Sequence, residues 1–362
     1  MISEKIFIIS SKIVIIALTA LLNVIIIYIF MAQIKRRTFS DYIYLSIGLS
    51  DFLIGFLSMS TQSILDQYDY WPFDRFTCFL SIYLQYAIPD TTILALLVLA
   101  LHIYVQLTSH SRVIENFSLP NLLKLALPWL IASLFWTFSI VYFVLNKKYC
   151  IIKCNIQPDF NFKLLKSLIF GFLPLFLIIL INILSIRVLN KKTKQLTYRK
   201  ESTNGLVLKK FNQNSPFSLA SSSTSVRITL KVNSYVKCLP NFFTESKTDS
   251  SVQTTPLGSF SSKSFLDMKK NRYKKVVLCI LALSVSITTT QIVYLISWPF
   301  YDTSNKKANQ PLISVIYEIG VWLSYLTSLF NPILLFIFNE KVKRNFKKMV
   351  KKNKHHSLVR NK

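Results

Sequence analysis

Glycine is scarce, with six among 362 residues. The glycine-rich turns that cradle phosphates, such as G-x-G-x-x-G and the P-loop, are accordingly absent. A G-x-S-x-G elbow and an H-E-x-x-H pair are missing too, so no enzyme is expected. Cysteine numbers five, too few for a disulfide scaffold. Acidic residues number 16 against 43 Lys and Arg. A basic excess can serve nucleic acid, but zinc-finger spacing and aromatic RNA-binding signatures are lacking, and no nucleic-acid partner is expected.

What the chain has is apolar length. It is 52% hydrophobic with a mean hydropathy of +0.41, yet its net charge is +27. One soluble surface rarely carries both, and here the two properties are segregated. Apolar residues fall in long charge-poor blocks, and Lys and Arg fall between them. A membrane span needs about 20 mostly apolar residues. Seven stretches qualify: 13–32, 42–62, 79–105, 122–145, 164–189, 276–299 and 312–338. The first is too long for a signal-peptide core and no small-residue cleavage site follows it, so it reads as a retained span.

Lys and Arg crowd one set of span ends, including Lys35, Arg36, Arg37, Lys191, Lys192, Lys274 and the tail from Lys341. The other ends carry fewer than half as many, among them Lys12, Arg75 and Lys147. The basic side is expected to be cytoplasmic, which puts the amino terminus outside and the carboxyl terminus inside. The sequon Asn116-Phe117-Ser118 then lies on the cytoplasmic side, out of reach of glycosylation. The organisation follows: spans one to five in residues 1–189, a basic Ser/Thr-rich cytoplasmic loop in 190–275, spans six and seven in 276–338, and a tail in 339–362. The loop shows no sustained period and is expected to be largely disordered, with serines open to phosphorylation or serving only as a solvated linker. In the tail, Val342, Phe346, Met349 and Val350 share one helical face with cations opposite, which suits a short helix lying against the lipid bilayer. The expected fold class is all-α: a seven-transmembrane helix bundle with a short amphipathic eighth helix.

Asn23 in span one, Leu49-Ser50-Asp51-Phe52 in span two, Trp71-Pro72-Phe73 before Cys78, and Ser328-Leu329-Phe330-Asn331-Pro332 closing span seven stand in a fixed order. In that order and spacing the chain resembles the rhodopsin-like (class A) G protein-coupled receptors. The loop and last-span wording is nearest to the histamine and muscarinic amine-receptor branch. The resemblance covers all seven spans. It implies a plasma-membrane receptor with an extracellular ligand and a heterotrimeric G protein as partners, and pairing with a second receptor is one further option. It also implies a bound sodium ion, the one non-protein group expected, held by Asp51, Thr92, Ser328 and Asn331 with Asn23 bracing them. A protonated, hydrogen-bonded Asp51 is the alternative, since a bare carboxylate in hydrocarbon costs several kcal/mol. The family's disulfide would join Cys78 to Cys154 or Cys150, both in the second outer loop, with Cys154 slightly favoured.

The chain departs from this family at the signalling positions. Gln85 stands where amine receptors carry the Asp that meets a ligand ammonium. His102-Ile103-Tyr104 replaces Asp-Arg-Tyr at the end of span three, so both the resting ion pair and the G protein contact are lost. Ile287-Thr288-Thr289-Thr290 replaces Cys-Trp-x-Pro in span six, and Leu335 replaces a Tyr after Pro332. Either activation differs here, or the chain binds without signalling as a decoy or scaffold. A transporter is the weaker rival, because no inverted repeat or paired broken helices occur. Pro89 should bend span three, because proline lacks the N–H that the Gln85 carbonyl would accept from. Asp90 beside it is an intramembrane carboxylate, a functional candidate unless it is simply bonded to a neighbouring hydroxyl. Candidate ligand residues by position are Gln85, Tyr86, Asp90, Phe170, Gln291, Tyr294, Trp322 and Tyr325, for each of which helix packing is the competing role.

Overall fold

The computed structural model describes residues 2–34, 38–68, 70–109, 119–150, 154–212, 262–301 and 311–360. Seven helices long and apolar enough to cross a membrane are present among them: α1 (Ile9–Ala32), α2 (Phe39–Tyr68), α3 (Arg75–Thr108), α4 (Leu122–Leu145), α5 (Phe160–Gln195), α6 (Lys274–Phe300) and α7 (Pro311–Phe338). A helix satisfies its own backbone, which is why apolar runs of this length take that form in lipid. Each expected span is found, with ends extended by a few residues. An eighth helix, α8 (Glu340–Arg360), follows.

Local chemistry sets where the helices begin. Thr38 and Asp41 form a reciprocal capping box at the start of α2. Asp74 caps α3, its carboxylate accepting from the Phe76 N–H at 3.1 Å and the Thr77 hydroxyl at 2.6 Å. These bonds, that from Thr77 foremost, hold the exposed Asp74 carboxyl below the usual range. Two short antiparallel strands, β1 (Tyr149–Cys150) and β2 (Asn155–Ile156), lie between α4 and α5.

The chain divides into a bundle, residues 1–193 with 269–362, and a second unit, 194–268. Of the segment expected to be largely disordered, only the two ends are described, and both are helical. The fifth helix continues to Asn212, and the sixth begins at Ser262. Residues 191–201 are rich in Lys, Gln, Leu, Arg and Glu without proline, a composition that sustains a helix once one arrives. Residues 213–261 and the Asn116 sequon lie outside the described residues.

Among the described residues the bundle interior holds three apolar clusters, one around Ile54, Met59, Ile88, Val321 and Tyr325 and one toward each end. In the half bearing α8, an apolar cluster gathers Phe30, Ile43, Leu99, Ile103, Ile280, Leu283 and Leu335. In the half bearing the strands, Trp71, Trp136, Phe143, Trp298, Cys78 and Cys154 pack together. Large apolar side chains such as Ile13, Phe138 and Leu145 remain exposed on the helix flanks, as a lipid-facing surface requires. The apolar face of α8, expected to lie against lipid, instead meets the bundle at its first two positions, while Val350 stays exposed. Val342 is fully buried, and the Phe346 ring meets Phe336 edge-on at 5.2 Å. Lys341 ties α8 to the α2 cap through Asp41 at 2.5 Å.

Candidate ligand pocket and ion site

In the strand-bearing half, α2, α3, α5, α6 and α7 surround a cavity of about 50 Å³. Six of the sequence candidates line it: Gln85, Tyr86, Asp90, Gln291, Tyr294 and Tyr325. Gln85 is held by neighbours, its Nε2 donating to Thr61 at 3.1 Å and Ser81 at 3.3 Å. Two candidates do not line the cavity. Phe170 is buried against Phe135, ring centroids 4.4 Å apart, because the π-helical turn at Ser167–Phe172 sets its side chain among the α4 aromatics. Trp322 packs edge-on against Tyr325 and lies under Lys12, whose ammonium sits 4.6 Å from its ring centre.

The sequence reading missed the cavity's other charge. Lys166 on α5 pairs with Asp90 at 3.0 Å, with side-chain exposures of 4% and 2%. The indole N–H of Trp136 donates to the second Asp90 oxygen at 2.8 Å. The Lys166 ammonium lies 5.3 Å from the ring centre of Trp298, 5.7 Å from that of Trp136 and 5.8 Å from that of Tyr294. A hydroxyl partner for Asp90 was the bland expectation; a cation and an indole hold it instead. The signal was available. An isolated intramembrane carboxylate calls for a partner, and Lys166 falls within an expected span. The helix runs without interruption through Pro89.

The ion-site residues also come together. Asp51, Thr92 and Ser328 line a second, smaller cavity of about 10 Å³, room for about one water-sized particle. Asn331 donates to Asp51 Oδ2 at 2.8 Å. Asn23 donates to the Ser328 carbonyl at 2.9 Å, bracing α1 against α7. Among the described residues, Asp51 Oδ1 and Asn331 Oδ1 are buried with no hydrogen-bond partner. Orphaned oxygens beside hydroxyls form a hard donor set that fits a small monovalent cation. When bound, such an ion would supply positive charge to the Asp51 carboxylate.

The disulfide forms between Cys78 and Cys154, Cα atoms 5.4 Å apart. Cys154 is thereby selected over Cys150, whose backbone pairs with Asn155 in the strands. At the α8 end, Ile103 is 3% exposed within the apolar cluster, and Leu335 is 1% exposed in the same cluster. His102 packs edge-on against Phe39, centroids 4.7 Å apart, and its Nε2 is buried without a partner among the described residues. Tyr104 is half-buried at the cluster's edge.

Seven spanning helices, a disulfide from the start of α3 to the following loop and a cavity among the helices define a heptahelical receptor. The family model described as "7 transmembrane receptor (rhodopsin family)" matches residues 22–335, and the chain belongs to that family. Similar proteins include the 5-hydroxytryptamine receptor 2C of Pan troglodytes and of Homo sapiens. Each is 25% identical over 358 residues, covering 95% of this chain and 72% of the relative. The protein is a receptor rather than an enzyme, and family members take an extracellular ligand and a G protein partner.

Proposed function

We propose that this plasma-membrane protein, with its amino terminus outside, senses a small extracellular ligand in the Asp90–Lys166 cavity and couples to G proteins weakly. The orientation rests on the crowding of Lys and Arg at one set of span ends. The observation that carries the ligand reading is the cavity itself, which combines a buried ion pair with amides and phenols at its walls. The relatives are named for 5-hydroxytryptamine, an amine. Here Gln85 offers an amide dipole in place of a carboxylate, and Asp90 is already paired. A charge-assisted contact contributes about 1.5–3 kcal/mol and a neutral one roughly half that. Saturation binding of radiolabelled 5-hydroxytryptamine to membranes should therefore give no high-affinity site. Sub-micromolar binding that survives Asp90→Asn would refute this. Asp51, Thr92, Ser328 and Asn331 are the residues that would hold a sodium ion.

Weak coupling is supported by Ile103, whose aliphatic side chain offers no donor to a G protein and is packed inside. With His102 in place of an acid, no resting ion pair is left half-made, so no orphaned charge at that position drives opening. The same residue supports a second reading, a receptor-like protein that binds without signalling. An assay across G protein classes, with Ile103 and with Ile103→Arg, separates the two. A small response rising with the Arg supports a weak receptor, none in either supports the binding protein, and robust basal signalling with Ile103 overturns both.

A further inference from the structure

The Asp90–Lys166 pair is half-satisfied on one side. Asp90 keeps two partners, Lys166 at 3.0 Å and the Trp136 indole at 2.8 Å. An ammonium has three N–H groups. Among the described residues, Asp90 is the one oxygen that Lys166 meets, its other neighbours being aromatic rings. Gln291, 6% exposed, lines the same cavity, and its side-chain amide makes no hydrogen bond to a described residue. The cavity thus holds unused donor capacity on a cation and an unpartnered amide beside it.

Charge then restricts what can enter. The two protein charges cancel. A ligand cation at Asp90, or an anion at Lys166, would leave an uncompensated charge in a low-dielectric interior. A zwitterion leaves none, because each protein group gains an opposite partner while the sum stays zero. Size restricts it further: about 50 Å³ of room suits a small polar head rather than two charges at the ends of a long molecule. In an α-amino acid the nitrogen and the carboxyl carbon lie about 2.5 Å apart by standard bond lengths and angles. That spacing is close to the 3.0 Å between the Lys166 and Asp90 heads.

We propose that the cavity binds a free α-amino acid as its zwitterion, the carboxylate on Lys166 and the ammonium on Asp90, in a square of alternating charges. Gln291 supplies a further hydrogen bond to the head group. The proposal rests on the reading of this cavity as the receptor's ligand site, and names the chemical class that site takes.

The test is thermal unfolding of the purified full-length protein in nanodiscs, titrated with each standard amino acid. Any amino acid that shifts the transition is compared with its decarboxylated amine and its deaminated acid. The expected result is a saturable upward shift with at least one amino acid, its amine and acid binding about tenfold or more weakly. The double variant Asp90→Asn/Lys166→Met removes both charges without orphaning either, and should lose the shift. The comparison of the three ligands needs no variant, so it stands even if the double variant folds poorly. No shift with any amino acid overturns the proposal, as does an amine or acid that binds equally well. An intact shift in a folded double variant overturns it too. Binding of an amine alone, lost in Asp90→Asn, would remove the zwitterion yet keep this cavity as the ligand site, whereas sub-micromolar amine binding that survives Asp90→Asn would remove the cavity reading itself.

Discussion

Around Asp90 the helices bury a charged pair beneath stacked aromatics; around Ile103 they bury an aliphatic wedge among Leu99, Ile280 and Leu335. Both regions lie on α3. The first is directional, since an ion pair and an indole N–H bond hold only at one geometry. The second is not, since apolar side chains of similar volume exchange at small cost. In relatives of this family the polar device is expected at the Ile103 end. Here the charge lies at the ligand end, and the other end is closed by hydrophobic contact. The difference teaches that position on a shared scaffold does not fix which half carries the specific, high-stakes contacts.

The comparison breaks first at the pair itself. Asp90→Asn alone leaves Lys166 buried without a counter-charge and should cost about 3–5 kcal/mol, read as a lowered unfolding midpoint in detergent. The double variant with Lys166→Met should recover most of that loss; if it does not, the pair is more than a compensated burial. Next comes the disulfide that closes the same half. Cys78→Ser should cost about 2–5 kcal/mol and reduce surface expression, and non-reducing peptide mapping of the parent should find Cys78 joined to Cys154.

Smaller effects sharpen the contrast. A Cβ at Gly320 would sit 2.8 Å from the Tyr294 backbone nitrogen, where α6 and α7 approach closely. Gly320→Ala should therefore separate the helices and cost about 1–3 kcal/mol of stability. In the apolar half, Ile103→Val removes one methylene and should cost only about 0.5–1.5 kcal/mol, measured by the same unfolding assay. The smallest effect belongs to Glu340, which meets Lys275 at 2.8 Å with both side chains well exposed. The Lys275 hydrogen bond holds the Glu340 carboxyl below its ordinary 4.5. Its contribution is thus present above that value and lost as pH falls through the lowered one. Screened by solvent, it should be about 0.5 kcal/mol or less, visible as a slight pH dependence that Glu340→Gln removes.

Much of this was legible in the residues. The seven spans follow from apolar length alone, because hydrocarbon admits only backbone that bonds to itself. The Asp51–Asn331 contact and the Cys78 bridge followed from the family resemblance that the ordered motifs carry. Lys166 was legible as a lysine within an expected span, but its burial was not. In one dimension it is a lysine near a span end, and nothing local distinguishes a snorkelling lysine from a buried one. Phe170 and Trp322 failed for a related reason. Counting from a landmark places a residue at a depth, but the π-helical turn in α5 and the packing of neighbours set where its side chain points.

By itself, the sequence determined the number of helices, the absence of phosphate-cradling and hydrolytic motifs, the loss of the Arg at Ile103 and the Asp at Gln85, and the need of Asp90 for a partner. The losses at Ile103 and Gln85 are read against the family resemblance; the rest are properties of composition, length and register, which act within a few turns of chain. The tertiary structure decided which partner Asp90 takes, which loop cysteine meets Cys78, and which candidates share one cavity. Those choices join residues on different helices. They depend on the close packing of the bundle, where a side chain is admitted only if its charge and volume are met by what faces it.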